Sequence, residues 1–164
     1  MPQAIRMAID HLAKLKLFYE QQVFPHIGAP IGCSEDEIDG LERVVGHPLP
    51  LAYRQYLRWM GRDHRGIFVG CDWFLNDVRA NTEYLPGLLA ENHVQWNLPD
   101  HYLAFMGHQG YITAYFALPS ESDDPIVYLY SEGREPDTVT AEGTFTDFLF
   151  RDLSGMAACL NRHP

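Results

Sequence analysis

SEDEIDGLERVVGHPLPLAYRQYLRWMG, Ser34 to Gly61, reads as two short helices meeting at a proline-marked corner. Ser34 followed by Glu37 is a capping box, in which each residue's side chain satisfies a backbone donor of the other. Glu35, Asp36 and Glu37 add negative charge in the first turn, where the helix dipole favours it. Ile38, Leu41 and Val45 recur at helical spacing as one apolar stripe, and Gly46 stands where a left-handed residue would stop the helix. After His47-Pro48-Leu49, the spacing predicts Pro50 as the first residue of a second helix. Tyr53, Tyr56, Leu57 and Met60 make its buried face, and Gly61 ends it.

Around this pair the chain has the material of one domain, 1–164. Hydrophobic residues are 46% of 164, with nine Phe, nine Tyr and three Trp, which excludes global disorder. Twelve basic against 22 acidic residues give a net charge of -10. That field repels phosphate backbones and anionic membrane surfaces, so it argues against nucleic acid and favours a basic protein partner. Cys33, Cys71 and Cys159 fit no metal or disulfide spacing and suggest reduced thiols. Charged residues interrupt every apolar run near the N-terminus, and no run approaches the ~18 residues of a membrane span. The expectation is a cytoplasmic protein.

Residues 3 to 24 carry a helical stripe of Ala8, Leu12, Leu15, Tyr19 and Val23, and Pro25 with 28–32 forms an irregular connector. Residues 1–29 are therefore an N-terminal helix and connector, and 30–164 the core. Gly66 to Gly70 predicts a short strand. A helix follows from Asp77 to about Leu85, with Pro86-Gly87 expected to break it. From His101 the period becomes two: Tyr102–Met106 and Tyr111–Leu118 read as a hairpin turning at Gly107-His108-Gln109-Gly110. Ile112, Ala114, Phe116 and Leu118 share one face, while Tyr111, Thr113, Tyr115 and Ala117 share the other. Pro125–Tyr130 is the next strand, Thr138–Thr140 a short one, and Thr144 caps a final helix faced by Phe145, Phe148, Leu149, Leu153 and Met156. The fold class is α+β: a curved, mostly antiparallel sheet with helices packed on one side.

The order Ile38, Leu41-Glu42, Gly46, Leu49-Pro50, Tyr53, Tyr56-Leu57 and Gly61 resembles the opening signature of the SUKH superfamily. So do the glycine turn at 107–110 and the Phe145-x-x-Phe148-Leu149 run, and the likeness spans about residues 34 to 155. The chain has Met60-Gly61 where the superfamily usually carries Asn-Gly. The superfamily includes yeast cell-wall assembly regulators of the Smi/Knr type and many bacterial toxin-immunity proteins. The resemblance implies a SUKH-like fold and a non-enzymatic protein that neutralises a cognate toxin, of nuclease or deaminase type, by tight complex formation. A regulatory scaffold for a cellular partner is the second implication.

The residues themselves show no catalytic apparatus. There is no P-loop, G-x-S-x-G, G-x-G-x-x-G or H-E-x-x-H, so no cofactor or metal is expected. Cys71-Asp72 with His64 is the one cluster that could suit a small-pocket enzyme, but a cysteine beside a strand end is commonly a small buried hydrophobe. Acidic residues instead gather at Glu35, Asp36 and Asp39, at Glu121, Asp123 and Asp124, and at Glu132, Glu135 and Asp137. Trp59, Trp73, Trp96, Tyr115 and Tyr130 lie among them. Glu35, Asp36, Asp39, Trp73, Glu121, Asp123 and Asp124 are the expected partner-binding residues, aromatic anchors within an acidic rim that meets a basic toxin domain.

Overall fold

The computed structural model describes residues 9–62 and 66–162. Among these residues five strands form one antiparallel sheet in the order β1-β2-β3-β4-β5: Cys71–Asp72, Tyr102–His108, Ile112–Ala117, Ile126–Ser131 and Thr140–Thr144. The helices are α1 (Ala13–Gln22), α2 (Phe24–Ile27), α3 (Glu35–Val45), α4 (Leu51–Met60), α5 (Val78–Glu91) and α6 (Phe145–Arg162). The α+β class and the antiparallel sheet stand as expected.

The helix pair forms for the reasons its sequence gives. Ser34 Oγ accepts from the Glu37 amide and Glu37 returns a carboxylate to the Ser34 amide, while Gly46 caps α3 at φ 73°. Pro50 stands one residue earlier than predicted, as the N-cap of α4, because its ψ of 143° is still extended. Tyr53, Tyr56, Leu57 and Met60 are fully buried. Gly61 packs so closely that a Cβ there would lie 2.6 Å from the Leu57 carbonyl oxygen and 2.8 Å from Cys33 Sγ.

Two apolar layers enclose the sheet. On one face Tyr53, Trp73, Phe105, Phe116, Phe145 and Phe148 build an aromatic core joining α4, β2, β3 and α6, with Tyr53 and Phe145 edge to face at 5.4 Å. Leu12, Leu15, Tyr19 and Val23 belong to that same core, so the N-terminal stripe packs on it. On the other face Ala104, Tyr115 and Tyr130 are covered by Leu85, Leu88 and Leu89 of α5, with Val94 and Val139. Most helices thus share one side, and α5 adds cover to the second.

Several local expectations need correction. Among the described residues the first helix begins at Ala13; Ala8 and the rest of 3–8 lie outside them. Pro25 does not end helical structure but enters α2 in its first turn, where a missing donor costs nothing. Residues 66–70 are turns rather than a strand, since Phe68 takes φ 48° and Ile67 and Phe68 both insert into the core. The edge strand is Cys71–Asp72, paired with His108 and Gly107. Strand β2 therefore runs on through His108, into the first half of the predicted turn, and the chain turns at 109–111. Helix α5 continues through Pro86 instead of breaking there. The last strand lies at Thr140–Thr144, because Val139 drops into the second layer just before it.

Candidate protein-interaction surface

The acidic residues of α3 are bound inside the protein more than offered to a partner. Arg54 of α4 reaches Glu35 at 3.1 Å, Asp39 at 2.9 Å and Glu42 at 2.7 Å, with its side chain 19% exposed. Arg58 also pairs with Glu35. That hydrogen bond, helped by the Arg54 charge, holds the Glu35 carboxyl below the ordinary range. Glu42 Oε1 also accepts the Leu49 amide at 2.9 Å, which closes the proline corner and accounts for a carboxylate at this motif position. Asp36 stays exposed and makes no hydrogen bond or ion pair among the described residues.

The loop from β3 to β4 is different. Helix α4 donates its Ala52 amide to the Asp123 carbonyl at 2.8 Å. Helix α6 donates the Thr146 amide and hydroxyl to the two Asp124 carboxylate oxygens. Two helix N-termini therefore grip one loop, and their unsatisfied donors are the reason it settles there. Within it Ser120 and Ser122 form a chain of short-range hydrogen bonds. Glu121 and Asp123 project from this held loop, exposed and with side chains unpaired among the described residues. Asp124, expected beside them as a partner contact, has its carboxylate engaged by Thr146 in the first turn of α6, while Thr144 caps that helix as expected through reciprocal bonds with Asp147.

Trp73 also leaves the expected surface. It is 0% exposed, stacks on Phe68 at 4.8 Å and touches Tyr56, Phe105, Phe145 and Phe148. An aromatic just past a two-residue strand falls into the core, where its burial removes more surface from water than any neighbour could. Tyr115 and Tyr130 are likewise buried, and Trp59 is half-buried against Tyr19. Trp96 remains at the surface at 37% exposure, its indole N–H fixed on the Tyr115 hydroxyl at 2.7 Å.

The strand register creates a pair that spacing does not reveal: Cys71 Sγ lies 3.0 Å from His108 Nδ1 across β1 and β2. Burial, with Asp152 and Asp72 adding to it, pushes the Cys71 thiol up to about 11. A reactive cysteine needs the opposite, an electropositive setting that favours thiolate. His64, the base expected for Cys71, lies outside the described residues. Among the described residues no group of three His, Cys, Asp or Glu side chains is placed to hold a metal ion, and no helix is long and apolar enough to cross a membrane.

Comparison with known proteins gives one family. The model of the SMI1 / KNR4 family (SUKH-1) matches residues 32–151, a span running from just before the α3 cap to the first turns of α6. No curated protein matches the chain. With the two-helix corner, the sheet and α6 all inside the matched span, the chain belongs to the SMI1 / KNR4 family (SUKH-1).

Proposed function

We propose that this chain is a non-enzymatic protein-binding domain, an immunity protein that neutralises a cognate toxin of nuclease or deaminase type by forming a tight complex. Membership of a family that includes toxin-immunity proteins supports the reading. The observation that carries it is the β3–β4 loop: Glu121 and Asp123 stand unpaired on a backbone held by the N-termini of α4 and α6. A held loop loses little conformational freedom on binding, so its charge is available for recognition at small entropic cost. The phosphate-binding cleft of a nuclease is cationic, and two free carboxylates complement it.

Co-expression with a nuclease or deaminase toxin domain, sought first in its genomic neighbourhood, tests the reading. The chain should restore growth of cells carrying that toxin, and the Glu121→Lys/Asp123→Lys variant should protect less. No protection by the folded wild-type chain, with no complex formed, would contradict it.

A further inference from the structure

A groove of about 530 Å³ runs between the 66–71 loop and α6, walled by Phe68, Val69, Met156 and Leu160. Asp152 opens into it half-buried, and that burial raises its carboxyl above the ordinary range. Among the described residues no ion pair reaches that carboxylate. Arg151 lines the same groove and its charge partly offsets the burial of Asp152, but its guanidinium is bonded to Glu142, with Nη1 2.7 Å from Oε2 and Nη2 2.7 Å from the carbonyl oxygen. His108 attracts Asp152 without pairing to it and turns Nδ1 to Cys71. The indole N–H of Trp73 leans toward Asp152 and completes no hydrogen bond of ordinary geometry.

A partly buried carboxylate with no ion pair among the described residues is costly to ionise, and a cation brought by a ligand to within contact relieves that cost. Apolar walls leading to one such carboxylate match a charged head on a methylene stem. We infer that this groove receives a long basic side chain, lysine or arginine, from the protein partner, with its stem against Phe68, Met156 and Leu160 and its charged end at Asp152. The inference rests on the protein-binding reading above and adds a second contact, on the α6 side, to the acidic loop. An apolar groove that seats one long side chain is a form an interface hot spot takes.

The test uses n-hexylammonium as the stem-and-charge probe, with 1-hexanol and hexanoate as controls, followed by ¹H–¹⁵N NMR on the full chain. Hexylammonium should shift the amides of Cys71, Asp152, Gly155 and Met156 and bind about tenfold more tightly than hexanol, the size of one charge-assisted contact. Asp152→Asn should abolish that preference and Asp152→Glu should retain it. Equal binding of hexylammonium and hexanol, shifts centred elsewhere, or an unchanged preference in folded Asp152→Asn would overturn the assignment. The Glu121→Lys/Asp123→Lys variant should leave the titration unchanged. Failure of the acidic loop in toxin binding is thereby read separately from failure of the groove.

Discussion

Tyr102 donates its hydroxyl to the carbonyl of Thr82 at 2.9 Å, the carbonyl that Pro86, four residues on and without an N–H, leaves unsatisfied inside α5. Thr82 Oγ1 also accepts the Ala104 amide at 3.0 Å, next to the bulge of β2. The strand thereby supplies what the proline removes, and the helix passes through uninterrupted. Tyr102→Phe should cost about 1–2 kcal/mol by orphaning that carbonyl. In a Pro86→Ala background, where a helical donor returns, the same change should cost clearly less. Urea unfolding of the four proteins of this cycle measures the difference.

Asp124 and Asp123 are neighbours with opposite roles. Asp124→Ala removes the partner of the Thr146 amide and hydroxyl and should destabilise the fold by about 1–2 kcal/mol. Asp123→Lys changes an exposed side chain with no partner among the described residues and should leave the unfolding midpoint nearly unchanged. Similar losses for the two would place Asp123 in the same structural role.

Arg54→Met leaves Glu35, Asp39 and Glu42 gathered without their shared cation. The expected loss is about 1–2 kcal/mol at low salt, larger than for a single exposed pair because three carboxylates repel at once. Salt screens that repulsion, so the deficit should shrink in 1 M NaCl. A deficit independent of salt would mean that packing of the arginine stem dominates.

The pH dependence has two opposed parts. Glu35 and Glu37 have depressed pKa values, from the Arg58 hydrogen bond in one case and the Ser34 amide in the other. Glu142 is depressed as well: burial works against it, but Thr140 and Arg151 outweigh burial. These groups bind protons more weakly folded than unfolded, so their stabilisation is present above the ordinary carboxylate range and lost as pH falls through their folded values. Asp152 is raised, so its ionised form costs stability at neutral pH, and that cost disappears in acid. Asp152→Asn should therefore raise the unfolding midpoint at pH 7 and give no gain near pH 3. A loss at pH 7 would show that the carboxylate is paired after all.

The corner at Ser34–Gly61 was legible because its signals are local: a capping box, a left-handed glycine, a proline and a run of tyrosines at helical spacing. The alternation along β3 was equally clear, and both of its faces proved buried. What escaped reading depends on partners distant in sequence. Pro86 marks a break unless Tyr102 is known to stand over Thr82. Residues 66–70 have strand composition, yet a two-residue edge strand and a buried Phe68 pull them into turns. In the surface, charge type could be read but not charge pairing. Asp123 and Asp124 are indistinguishable in sequence, and only the approach of Thr146 separates an exposed carboxylate from an engaged one. Asp152 gave no signal, because its isolation is a property of the groove.

The most direct measurement is the association rate of the chain with the basic toxin domain it is proposed to neutralise, as a function of salt, for the wild type and for Glu121→Lys/Asp123→Lys. Recognition through the held acidic loop predicts fast wild-type association that slows steeply with added salt. The variant should associate at least about tenfold more slowly, with a flattened salt dependence. Identical rates and identical salt slopes for the two proteins would contradict it.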